Sequence, residues 1–172
     1  MSVAHIQKSI EGAIKYLSAH PDECRYTDTA ATAVVEEGLR CRAEGPDGAT
    51  LITDMPKSVG GGSSAPSPGW FFRAAYANCA ATVIAMRSAQ LGIALTTLEV
   101  KVDSVSDDRG LLGIDGTIAA GPLSMRTHVR IGANGATPEQ LREIVHWAEA
   151  HSPVGDAVFR AVPSKVEVGI QP

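Results

Sequence analysis

Between residues 68 and 91 the chain reads "PGWFFRAAYANCAATVIAMRSAQL", and no other stretch limits the fold as tightly. Pro68 stands where a first-turn proline opens a helix behind the cap residue Ser67, and Gly92 stands at the place of a C-terminal stop. Nothing between them breaks the run, so it predicts one helix of about 24 residues, roughly 36 Å long at 1.5 Å per residue. Phe71, Phe72, Ala75, Tyr76, Val83 and Ile84 spread apolar surface over most of its circumference. In a chain of 172 residues such a helix is central or lies in a subunit interface.

The flanking segments supply what surrounds it. Ile6, Ile10, Ile14 and Leu17 recur every three to four residues, predicting an amphipathic helix over 5–19 that Pro21 and Asp22 stop. That stripe needs an apolar surface, so the helix is expected to cap the rest of the molecule. "TDTAATAVVEEGLRCRAE" and "ATLITDM", joined through a Pro-Asp-Gly turn, predict an antiparallel hairpin. Leu95, Leu98, Val100, Val102 and Val105 largely alternate with polar residues; "DDRG" then reads as a turn, and "LLGIDGTIAAGPLSMRTHVRIGA" as a returning strand or a bent pair. Thr137, Pro138 and Gln140 form a capping box at the head of a helix that Pro153 ends, and "KVEVGI" reads as a last strand. Runs of strands around long helices give an α+β class. The expected layout is one domain over 1–172, with 1–22 a helical extension and 27–172 the core.

Several functions are excluded early. A formal charge of -4 built from interspersed residues offers no basic patch for nucleic acid or anionic lipid. No apolar stretch reaches the roughly 18 residues of a membrane span, and the first residues lack a signal-peptide core, so a cytoplasmic protein is expected. Cys24, Cys41 and Cys79 are odd in number and widely spaced, which fits a reducing compartment. No metal-ligand spacing is present, and neither metal nor cofactor is expected.

Two features remain as candidate chemistry. The run "VGGGSSAPSP" before the long helix could cradle an anion on backbone N–H groups, but it lacks a P-loop lysine and reads more simply as a structural turn. Cys79 sits mid-helix in "AAYANCAATVIA". On residue type alone it is a small core hydrophobe, and acting as a nucleophile requires an arginine or histidine brought from elsewhere in the fold. Asn78, Tyr76 and His151 are polar enough to line a site and equally suited to packing or surface.

The stretch "DMPKSVGGGSSAPSPGWFFRAAYANCAATVIAMRSAQLGIAL", with Cys79 eleven residues after Pro68, resembles the OsmC/Ohr family of osmotically inducible and organic-hydroperoxide-resistance proteins. "LEVKVDSVSDDRGLLGI" and "EQLREIVHWAEAHSPVGDAV" follow in the family's order. The resemblance implies antiparallel sheets around a long central helix and an intertwined homodimer with sites at the subunit interface. It also implies that Cys79 is the peroxidatic cysteine, activated by an arginine from the N-terminal hairpin, for which Arg25, Arg40 and Arg42 are candidates.

Two departures bear on the chemistry. The family's resolving cysteine corresponds to Ser152, and the glutamate that orients the arginine corresponds to Gly69. Two readings follow: a one-cysteine thiol peroxidase that takes an organic hydroperoxide and an external thiol or dithiol reductant, or a non-catalytic dimer that binds a small apolar ligand. A disulfide from Cys79 to Cys41 or Cys24 is a third arrangement.

Overall fold

The computed structural model describes residues 2–171. In chain order they form α1 (Val3–Ala19), β1 (Thr32–Glu37), β2 (Arg40–Glu44), β3 (Thr50–Thr53), α2 (Pro68–Gln90), β4 (Leu95–Val105), α3 (Asp108–Leu111), β5 (Ser124–Ala133), α4 (Pro138–His151) and α5 (Pro153–Phe159). The long helix starts as its sequence dictates: the Trp70 amide donates to the Ser67 hydroxyl, and Pro68 occupies the first turn. At its far end Gly92 takes a left-handed φ of 69° and turns the chain into β4.

β4 and β5 make an antiparallel ribbon whose register places Val100 opposite Val129 and Leu98 opposite Ile131. These residues pack onto the buried cluster of Val83 and Ile84 from α2 with Ile144 and Ala148 from α4. The intervening positions face outward and carry cross-strand ion pairs, Glu99 with Arg130 and Asp103 with Arg126. α4 opens with the full capping box of Thr137 and Gln140. α1 lies along α2, where Gln7 Nε2 donates to the Gln90 carbonyl at 3.3 Å. Ile6 and Ile10 are half-covered there, whereas Ile14 and Leu17 stay exposed.

The elements differ from expectation in five places. The N-terminal pair is a three-stranded sheet, β1-β2-β3, because Gly38 with a φ of 57° makes a tight turn inside what reads as one run. "DDRG" is one turn of helix. The returning strand starts only at Ser124, since Gly113, Gly116, Gly121 and Pro122 interrupt the residues before it. Pro153 does end α4, but it also opens α5, capped by Ser152. "KVEVGI" forms no strand: Val166, Val168 and Ile170 lie 80% or more exposed. Alternation marks a segment fit for a ladder, yet a strand exists only where a second edge meets it.

The glycine loop before α2 resolves as structure. Asp54, 2% exposed, accepts hydrogen bonds from the amides of Met55, Gly62 and Ser64 and from the Ser64 hydroxyl. The loop thus does cradle an anion, and the anion is its own. Gly61 is required here, since a Cβ at that position would fall 1.9 Å from the Met55 carbonyl oxygen. The Ser64 amide and hydroxyl, followed by the other amides, hold the Asp54 carboxyl down to about 2 from an ordinary 3.8. A depressed carboxylate stabilises the fold above its unfolded value, and that contribution disappears as pH falls through the folded one. Asp54→Asn is therefore expected to be clearly less stable than the parent at neutral pH. The gap should close between about pH 4 and about pH 2 in urea-unfolding midpoints. A gap independent of pH would contradict this account.

Candidate functional site

α2 and α4 run in opposite directions, so moving back from Ile84 to Cys79 corresponds to moving forward from Ile144 to Ser152. Cys79 is half-buried, with one side against the Val83–Ile84–Ile144–Ala148 cluster. The Ser152 hydroxyl donates to its sulfur at 3.2 Å. Ser152 is 2% exposed and also serves as the cap of α5, accepting the Gly155 amide at 3.1 Å. Gly155 fits closely: a Cβ there would stand 3.1 Å from both Cβ and Oγ of Ser152 and 3.4 Å from the buried ring of Tyr76.

The α4–α5 joint is fixed from the other side by a stack of three groups. The Trp147 and His151 rings lie parallel with centroids 3.8 Å apart, and the Arg87 guanidinium sits 4.6 Å above the Trp147 ring. His151 Nδ1 meets the Trp147 carbonyl at 2.7 Å, which locks the imidazole to its own helix. His151 and Asn78, which bonds the Ala74 carbonyl, thus serve local structure, whereas Tyr76 backs Gly155.

The candidate arginines are held elsewhere. Arg40 Nη1 donates to Ser64 Oγ at 2.8 Å and its Nε pairs with Glu36; Arg42 pairs with Glu36 at 2.7 Å and with Glu44. Both lie on β2, and Arg25 lies in an exposed loop. The structure therefore brings Ser152 to Cys79 and leaves Arg40 and Arg42 bound to their own sheet. All three cysteines are free in the structure.

Arg73, which carries no distinguishing pattern in the sequence, lines an open cavity of about 560 Å³ at the head of α2 together with Val59, Phe72, Leu111, Leu112 and Pro122. Its Nη1 donates to Ser104 Oγ at 3.3 Å. Gly69 opens onto the same cavity, and a Cβ there would meet Arg73 Nη1 only at 3.9 Å, so there is room for a side chain. Phe72 precedes Cys79 by seven residues, two helical turns, which puts both on one face about 10 Å apart along the axis. The cap at Ser152 has a legible signal: Ser152-Pro153 repeats the cap-and-proline pattern of Ser67-Pro68 and Thr137-Pro138. Among the described residues no group of three or more His, Cys, Asp or Glu is placed to hold a metal ion. No described helix is long and apolar enough to cross a membrane.

Comparison with known proteins bears on the fold. A search of curated proteins returned no match. Among solved structures, an OsmC-like protein from Mycoplasma pneumoniae superposes with a TM-score of 0.66 at 14% identity, over 80% of this chain and 91% of that one. An organic hydroperoxide resistance protein OsmC from Legionella pneumophila gives 0.56 at 24% identity, over 77% and 89%. One from Elizabethkingia anophelis with bound thiocyanate gives 0.58 at 18%, over 78% and 90%. At these identities the likeness is one of fold. The OsmC-like protein family model matches residues 60–167, a span that includes α2 with Cys79 and the α4–α5 joint with Ser152, and the chain belongs to that family.

Proposed function

We propose that the protein is a one-cysteine thiol peroxidase that reduces organic hydroperoxides through Cys79. The contact that carries this reading is the hydroxyl of buried Ser152 on the Cys79 sulfur, on the α2 face that leads to the apolar cavity. The thiolate attacks the distal oxygen of ROOH, the O–O bond breaks, and the alkoxide leaves as ROH with a proton from solvent. Cys79 becomes a sulfenic acid. Ser152 cannot form a disulfide, so an external thiol condenses with the sulfenic acid, releasing water. A second thiol then frees Cys79 and leaves as the disulfide of the reductant. Three free cysteines suit the cytoplasm, where thiols stay reduced.

The reading includes a homodimer. The chain exposes 12,459 Å², about 4,400 Å² more than the roughly 8,000 Å² that the size scaling of monomers assigns to 17.9 kDa. That excess is several times the roughly 800 Å² per partner of an ordinary interface. Val34, Val35, Val166, Val168 and Ile170 supply the exposed apolar surface.

The competing reading, a non-catalytic binder of a small apolar ligand, draws support from Gly69 and from the ion pairs that occupy both β2 arginines. Stopped-flow consumption of cumene hydroperoxide by the reduced protein, followed by sulfenic-acid trapping, separates the two. The expected result is one equivalent of peroxide consumed per chain without added thiol, sustained turnover with dithiothreitol, and at least a 100-fold loss in Cys79→Ser. A folded protein that consumes none supports the binder. Ser152→Cys should place two thiols in disulfide reach, so that mild oxidation removes two thiols per chain with no intermolecular crosslink. Sedimentation equilibrium should give twice the chain mass at micromolar concentration; a monomer there would overturn the dimer.

A further inference from the structure

We infer that Ser152 is a positioning residue that holds the Cys79 sulfur through a donated hydrogen bond, a role distinct from that of a resolving thiol. The inference rests on the reading of Cys79 as the working nucleophile. A serine hydroxyl has one hydrogen and two lone pairs. The Gly155 amide takes one lone pair at 3.1 Å, and at 2% exposure no bulk water reaches the hydroxyl. The hydrogen therefore has to find a buried acceptor, and among the described residues its one partner is the Cys79 sulfur at 3.2 Å.

Were the thiol instead to donate to Oγ, the serine hydrogen would be left buried without an acceptor. The donation from serine to sulfur thus holds whether the sulfur is protonated or not. It strengthens when the sulfur carries charge, because hydrogen bonds to an ionised partner are roughly twice as strong as neutral ones. Cys79 sits mid-helix, away from any N-terminus, and the β2 arginines are paired within their own sheet. Ser152 is thus the one side chain that donates a hydrogen bond to the sulfur among the described residues.

Gly155 completes the device. Its bare Cα lets the α5 cap close against Tyr76, and that closure holds Oγ in place beneath the sulfur.

The test reads thiol reactivity and needs no peroxide. Alkylation of the reduced protein by iodoacetamide is followed from pH 5 to pH 10, with the modified peptides resolved by mass spectrometry so that Cys79 reports alone. In Ser152→Ala the rate at pH 7 is expected to fall about three- to tenfold. Ser152→Thr keeps the hydroxyl and should retain the parent profile. Should the alanine variant fail to fold, Ser152→Gly removes the same hydroxyl while glycine remains an acceptable helix cap. An unmoved profile in a folded Ala or Gly variant overturns the role. A moved profile in a protein that consumes no peroxide leaves the role standing and overturns the peroxidase reading alone.

Discussion

The packing of Ile84 of α2 and Ile144 of α4, 1% and 0% exposed, into one buried cluster holds the two helices together, and the rest of the molecule is arranged around that contact. Burying each such side chain contributes roughly 1.5–3 kcal/mol. The contact fixes the antiparallel pairing of the two helices, so it also sets where the residues further along each helix must meet. Cys79 and Ser152 are 73 residues apart in sequence, and they touch because this packing leaves them opposite one another. The β4–β5 ribbon closes the same cluster from another side through Val100, Val129, Leu98 and Ile131. A site built in this way is positioned by the core, and its geometry is only as firm as two helices in contact.

Much of the helical frame was legible because helices announce their ends locally. Ser67-Pro68 and Thr137-Pro138 carry start signals that act within one turn, and the structure uses both as written. The third instance, Ser152-Pro153, was read only as a stop because the helix it opens is seven residues long and shows no apolar period. Strands were harder, since a strand is defined by a partner that is often far away in sequence. Gly38 divides one apparent run into two strands, and "KVEVGI" has the alternation of a strand without a ladder to join.

The site was legible only in part. Position and family resemblance single out Cys79, whereas residue type alone makes it core filling, and the structure shows a half-buried sulfur that shares in the core and also meets a polar group. Arginines 40 and 42 could not be ranked because both alternate onto one face of β2, where Glu36 binds the two of them together. Arg73 escaped notice because nothing in a helical pattern tells that its turn borders a cavity. Ser152 was identified as a missing thiol, and its hydrogen bond to sulfur becomes visible only once the α2–α4 packing is known.

The stack at the end of α4 gives the protein an optical signal of its own. The chain has two tryptophans; Trp70 is half-exposed at the head of α2, while Trp147 is clamped between a guanidinium and an imidazole, five residues before Ser152. Indole emission depends on what faces the ring, so any shift of the α4–α5 joint that slides His151 or Arg87 off Trp147 changes its fluorescence. Trp147 is therefore a native probe of that joint, and it needs no added label.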